Sequence, residues 1–583
     1  MKTNWDLSVF YGGFDDPAFA ADLASLPERT KALADAIAAP AQDQAEKLRV
    51  LIAQLEQLYT TVEHVGLMIN LTLSCDAENE AANAAMTPLM RAGVAIEQMN
   101  NAFCRYVASV GNLDALIESD PVLQANAFFL RRSAQTAAHM LPKAIEGPVL
   151  QMQLSGGEAF SQLRDKLDAT LLVDYRGEQL PLSAVRALAY DADADVRRDA
   201  YEAEIASYAK LELPMSYCLN SIKAEATTMA SLKGYDSVLA MTLDHSNMSR
   251  ATLDAMWSAI REALPQLREY LKAKGRLLGH DNGLPFYDLF APLGASSRTY
   301  TVEEARALLL DLFGAFCPQM GDMMRQAFDE GWIDMYPHAG KSGGAFCAGC
   351  YDKDISRVMT NFTGSLSDVS TLAHELGHAF NNRMLTRVPY LMTDTPMPLA
   401  ETASTFNETL LSAAMRKTAT PEEELMLLDA SLMESTQTLV DIYSRFLFEQ
   451  KVVDAQADHA LSVRELKETM LWAQDQSYGD GLDPDVRHPY MWACKSHYYS
   501  TGMHFYNFPY AFGCLFGRGL YARYQQEGEA FVPVYCDLLS RFGSDTIENV
   551  TASVGIDVTT PEFWRSAVES ILKEVRRFVE LAL

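Results

Sequence analysis

His374, Glu375 and His378 form the pattern H-E-x-x-H within the run Thr371 to Phe380. On a helix, residues four apart leave the same face about one turn from each other. Two imidazoles at that spacing can hold one zinc ion, and the carboxylate between them is aimed at a water in the remaining position. A catalytic zinc takes three protein ligands, so a third is required. Downstream, Glu401 and Glu408 lie seven residues apart, two turns on and on one face, with Thr405 between them. Glu401 is the expected ligand. Glu408 is expected behind it, orienting a ligand imidazole through its other ring nitrogen. Such a set performs hydrolysis: zinc lowers the pKa of water and polarises a carbonyl, and Glu375 moves the proton to a leaving amine.

Two helices must position these groups. Ser365 and Asp368 make an S-x-x-D capping signature, and Leu372, Leu376 and Phe380 recur every four residues as an apolar stripe. No proline falls between Ser367 and Leu385, so the spacing predicts a helix there. Pro398 suits the first turn of a second helix, with Leu399, Phe406 and Leu410 on its apolar side. Glu401 then lies in the first turn, where the helix dipole favours a carboxylate. Arg357 to Gly364 alternates apolar and polar side chains with β-branched residues and reads as a strand. Immediately upstream of the histidine helix, it is expected to be an edge strand that accepts the substrate backbone as one more strand.

Lys495 to Tyr510 carries two histidines and four tyrosines, broken by Gly502 and Pro509. That many hydroxyl and imidazole donors exceed what core packing asks for, and they suit stabilisation of an oxyanion. His497 competes with His504 for this role, and Tyr506 with Tyr510. Cys347 and Cys350 have C-x-x-C spacing but lack the second pair of a zinc ribbon or the βαβ context of a redox motif. They are expected in a glycine-rich loop and strand start near the cleft, with the thiols incidental. His64, His139, His245, His280, His459 and His488 read as ordinary surface or core residues, and His338, just before the GKSGG loop, is the one nearest the site.

The runs GKSGGAFCAGC, TNFTGSLSDVSTLAHELGHAF and PLAETASTFNE resemble oligoendopeptidase F and thimet oligopeptidase, zinc peptidases of the gluzincin type. The opening WDLSVFYGGFDDPAF and the later HFYNFPYAFG are also similar, so the resemblance runs from about residue 5 to beyond residue 520. It implies a mainly α, two-lobed body around a deep substrate channel, with a thermolysin-like zinc helix pair and a small β-sheet near the active site. It implies one zinc on His374, His378 and Glu401, with His504 and Tyr510 as oxyanion donors. The implied activity is endopeptidase cleavage of internal bonds in short, unfolded peptides.

At 583 residues the chain is too long for one compact core. An N-terminal helical domain over 1–185, with a hairpin near 170–182, and a catalytic domain over 186–583 are expected. Amphipathic helices are expected over 15–130, 191–233, 250–276 and 302–330, from Pro421, and after Ser462. A hydrophobic content of 49% with 21% charged residues is that of a folded globular protein. The net charge of −29 argues against nucleic acid or an anionic membrane surface as partner and leaves short peptides. No basic-then-apolar leader and no apolar run near 18 residues is visible, so neither a secretory signal nor a membrane span is expected. Nine scattered cysteines fit a reducing, cytoplasmic compartment. Nothing specifies an oligomeric state. A zinc exopeptidase is the alternative and would need a charged group reading a peptide terminus. A catalytically dead peptide-binding protein is opposed by the intact His374, Glu375, His378 and Glu401.

Overall fold

The computed structural model describes residues 2–294 and 298–583. Helix starts follow local capping chemistry. Thr301/Glu304, Ser365/Asp368, Thr420/Glu423 and Ser462/Glu465 each form a reciprocal capping box, satisfying N–H groups that the first turn leaves free. The fold is mainly α. The helices Pro17–Ala38, Gln44–Cys75 and Glu80–Ala108 bury Leu26, Leu51, Leu55, Met99 and Phe103 in a core of their own. Leu172–Tyr175 and Glu178–Pro181 pair antiparallel across Arg176 and Gly177. Both turn residues are left-handed, with φ of 49° and 87°, as a two-residue hairpin requires. From Leu171 onward most buried apolar side chains join one large cluster that extends to Phe578, while Leu391 and Cys350 pack with the N-terminal helices. Among the described residues, no helix is long and apolar enough to cross a membrane.

Two stretches expected as single helices are each divided. Residues 302–330 form Val302–Phe316 and Pro318–Glu330, because Pro318 has no N–H to continue the first helix and instead opens the second. Residues 191–233 form Ala194–Tyr208 and Glu212–Leu232.

A three-stranded sheet lies beside the histidine helix, and its order corrects one expectation. The strand read over 357–364 spans Ile355–Met359 and is the central strand, not an edge. Ile333–Asp334 pairs with it in parallel on one side. Phe346–Cys350 pairs antiparallel on the other, from Phe346 opposite Met359 to Cys350 opposite Ile355. The reversal is made by the turn Tyr351–Lys353 and by Asp354 at φ 49°. Strands on both sides occupy its backbone groups, so the free edge belongs to Phe346–Cys350.

The histidine helix spans Leu366–Leu385. It crosses the following helix, Thr402–Arg416, at Gly377, where an added Cβ would lie 2.7 Å from the Ala403 carbonyl oxygen and 2.8 Å from Ser404 Cα. A third helix, Phe508–Glu527, reaches the same junction: a Cβ on Gly513 would lie 2.8 Å from Glu401 Cβ. Ordinarily Gly→Ala inside a helix gains about 1 kcal/mol. At Gly377 the methyl meets backbone that must move, and overpacking of that kind costs roughly 1–3 kcal/mol. Gly377→Ala should therefore lower the thermal midpoint, measured by circular dichroism, and a rise would show that the crossing has slack.

Candidate active site

The histidine helix carries His374 and His378 on one face, and their Nε2 atoms are 3.2 Å apart. Glu401 Oε2 lies 3.3 Å from His374 Nε2 and 3.4 Å from His378 Nε2. The three ligand atoms make a nearly equilateral triangle. A tetrahedral ion with bonds of 2.0–2.1 Å needs ligand–ligand edges of about 3.3–3.4 Å, so these residues fit a small divalent metal. The three side chains retain 27%, 22% and 33% exposure, which leaves one side of the triangle accessible.

Glu401 is placed differently from the expected first turn. It sits at a break between the short helix Met397–Ala400 and the helix Thr402–Arg416, with φ −86° and ψ 5°. The break turns its side chain toward both imidazoles. The Ser404 hydroxyl donates to the same Oε2 at 2.9 Å and fixes the carboxylate. Burial would push the Glu401 carboxyl up, but the two imidazoles outweigh it and hold it well below the usual carboxylate range.

Glu408 Oε1 lies 3.1 Å from His374 Nδ1, the ring nitrogen facing away from the triangle. Burial alone would lower the His374 pKa; hydrogen bonds to Glu401 and Glu408 reverse this and raise it to about 11. Two carboxylates thus flank the His374 ring, one at each nitrogen. Desolvation by the surrounding protein raises the carboxyl of Glu434, a residue that still reaches solvent, to about 7, with the Glu408 charge adding to the effect. Nearby Arg518 donates to Ser431 at 2.7 Å and Glu574 at 3.1 Å. Ser404, Glu434 and Arg518 were not anticipated. Ser404 follows Glu401 by three residues, which is a usable signal, but nothing local marks the other two.

Glu375 is only 5% exposed and forms no hydrogen bond or ion pair among the described residues. Burial raises its pKa, Glu401 and Glu408 add to the rise, and His374 and His378 oppose it. Beside the same helix, the edge strand presents Cys347, whose Sγ lies 3.7 Å from Asn382 Nδ2.

In the aromatic loop, His497 stacks on Tyr506 at 5.2 Å, and Tyr510 sits edge-on to both rings, 6.3 Å from His497 and 5.8 Å from Tyr506. Burial pushes the Tyr510 hydroxyl up, and Tyr506 and the Glu401 carboxylate add to it. The expectation for His504 differs from what is found. His504 is 4% exposed, its Nδ1 lies 3.5 Å from Lys223 Nζ, and its carbonyl accepts from Thr242. Phe505 turns the chain at φ 53°, which buries His504 among these partners and leaves His497 beside the tyrosines. A separate cavity of about 230 Å³, lined by Arg186, Tyr201, Glu204, His488 and Lys495, contains none of the triangle residues.

Residues 187–570 match peptidase family M3. The chain is 24% identical over 597 residues to an oligoendopeptidase F homolog of Lactococcus lactis, covering 99% of this chain and 98% of that one. A solved structure from Chlamydophila abortus superposes with a TM-score of 0.87 at 23% identity, over 99% of this chain and 98% of the other. The oligoendopeptidase-F structure from Enterococcus faecium gives 0.71 at 18% identity, over 97% and 98%.

Glu408 touches no ligand atom of the triangle yet sets the His374 ring. Loss of such a partner typically weakens metal binding 10–100-fold. Glu408→Ala should show that loss in a competition titration with a chelator, while far-UV circular dichroism stays unchanged.

Proposed function

The chain belongs to peptidase family M3 and is a metalloendopeptidase acting on peptides, and from this premise we propose that its metal is zinc, held by His374, His378 and Glu401. The observation that carries this reading is the triangle of two imidazole nitrogens and one carboxylate oxygen with edges of 3.2–3.4 Å. That donor set suits zinc. Bound there, zinc supplies Lewis acidity for the scissile carbonyl and lowers the pKa of water.

The remaining work falls to side chains. Glu375 takes a proton from the attacking water and gives it to the leaving amine. Its freedom from hydrogen bonds supports this role, as does burial, which raises its pKa. Glu408 keeps His374 in the correct tautomer and orientation. Phe346–Cys350 offers the substrate backbone an unpaired edge, replacing the strand first assigned that role. Strand addition needs an extended chain, which favours short, unfolded peptides over folded proteins. Tyr510 donates its hydroxyl to the oxyanion as it forms, and His497 with Tyr506 buttresses its ring. A two-lobed body, with 1–185 and 186–583 flanking a deep channel, is the arrangement that would admit such substrates. An internally quenched peptide blocked at both ends should be cut, lose cleavage on chelation and regain it with zinc. An exopeptidase would leave it intact.

Glu375→Gln should keep its metal by elemental analysis while cleavage falls roughly 10²–10⁴-fold, the contribution of a general base. Loss of zinc in that variant would reverse the roles of Glu375 and Glu401. Tyr510→Phe should lower kcat roughly 10²-fold or more with little change in KM, as deletion of an oxyanion donor does. Tyr506→Phe should cost much less, and the opposite ranking would transfer the donor role to Tyr506.

A further inference from the structure

A second set of metal-ligating side chains lies where the N-terminal helix Gln44–Cys75 meets the end of the edge strand. Glu63 and His64 come from that helix, and Cys350 and Asp352 from the strand's last residue and the turn after it. One ligand atom from each lies within 4.8 Å of all the others. His64 Nε2 is 2.8 Å from Asp352 Oδ1, and the Cys350 thiol donates to the same oxygen at 3.2 Å. A tetrahedral zinc with these donors needs edges of roughly 3.3–3.7 Å, so shifts of a fraction of an ångström to about one ångström would close the shell.

We propose that Glu63, His64, Cys350 and Asp352 form a second metal site, selective for zinc-like divalent ions, that clamps the N-terminal helix to the strand edge beside the active site. One sulfur, one nitrogen and two carboxylate donors disfavour calcium and magnesium, which take oxygen ligands, and suit zinc. Neither Glu63 nor Asp352 makes an ion pair with lysine or arginine among the described residues; Asp352 pairs with His64 instead. Glu63 Oε2 is buried without a hydrogen-bond partner. A cation at the centre removes each of these penalties together. Binding deprotonates the Cys350 thiol and releases that proton to solvent, so affinity should rise with pH.

Two features separate this set from its competitors. Cys347 and Cys350 are three apart on a strand and face opposite ways, Cys347 toward Asn382 and Cys350 toward Asp352, so the C-x-x-C spacing is not a ligand pair. The other candidate group, Cys75, Asp334 and His338, already holds a cation: the fully buried Lys341 ammonium lies 2.6 Å from Asp334 Oδ1.

The test uses the full chain stripped of metal and titrated with Co²⁺, whose thiolate complexes absorb by charge transfer in the near ultraviolet. His374, His378 and Glu401 offer no sulfur, so that band reports only the second site. The expected result is two equivalents bound, one of which develops the band. Cys350→Ser should abolish the band and leave one equivalent. His64→Ala, a part-exposed position whose loss the fold can tolerate, should weaken the sulfur-linked equivalent by more than about tenfold, since even a partner behind a ligand is worth that much. Cys347→Ser and the double variant His374→Ala/His378→Ala should keep the band. Uptake of a single equivalent with no band, or a band that survives Cys350→Ser in a chain folded by circular dichroism, would overturn the proposal.

Discussion

Bringing His374, His378 and Glu401 within 3.4 Å of one another requires the histidine helix and the segment bearing Glu401 to be held in a close, fixed register. The crossing at Gly377 meets that constraint, with Ala403 and Ser404 filling the space a side chain would occupy. Everything functional hangs from this contact. It sets Glu401 opposite the imidazoles, brings Glu408 one layer deeper against His374 Nδ1, and lets Asn407 donate to the Ala373 carbonyl at 3.0 Å, tying the two helices together. The third helix closes the junction at Gly513 and brings the aromatic loop alongside. Small residues at these two crossings, Gly377 and Gly513, thus do for the site what a disulfide or a large core does elsewhere: they fix interatomic distances.

The electrostatic arrangement follows from the same geometry. Two carboxylates flank one imidazole in a part-buried pocket, which favours positive charge there, while Glu375 is left without a partner on a neighbouring face. The two carboxylates are shifted in opposite directions: Glu401 is held low by the imidazoles, and Glu375 is pushed up by burial.

Local chemistry in the sequence was legible where one helix or one turn contains it. The capping box at Ser365, the stripe Leu372, Leu376 and Phe380, and the hairpin turn at Arg176–Gly177 all specify themselves within a few residues. Glu401 and Glu408 were legible by spacing, although the helix break that aims Glu401 was not. Strand order was hidden because alternation in Ile355–Met359 says nothing about whether partners lie on one side or two. His504 was misplaced for a related reason. Its surroundings, Lys223, Glu449 and Thr242, come from remote helices, and one left-handed residue at Phe505 decides which imidazole faces the tyrosines. His64, unremarkable in its own helix, meets Asp352 across 288 positions of chain.

The aromatic loop is anchored at a point of unusual strictness. Lys223 and Glu449 form a 2.6 Å pair with essentially no exposure, and Glu449 also accepts the Phe505 N–H at 3.0 Å. Separating the loop from that pair would take the Phe505 N–H from a buried carboxylate, a hydrogen bond to a charged group worth about 1.5–3 kcal/mol. A hinged flap swinging over substrate is therefore the wrong picture for residues around Phe505. Any closure that moves Tyr510 must carry the helices Glu212–Leu232 and Ile442–Ala455 with it, as sliding between packed layers.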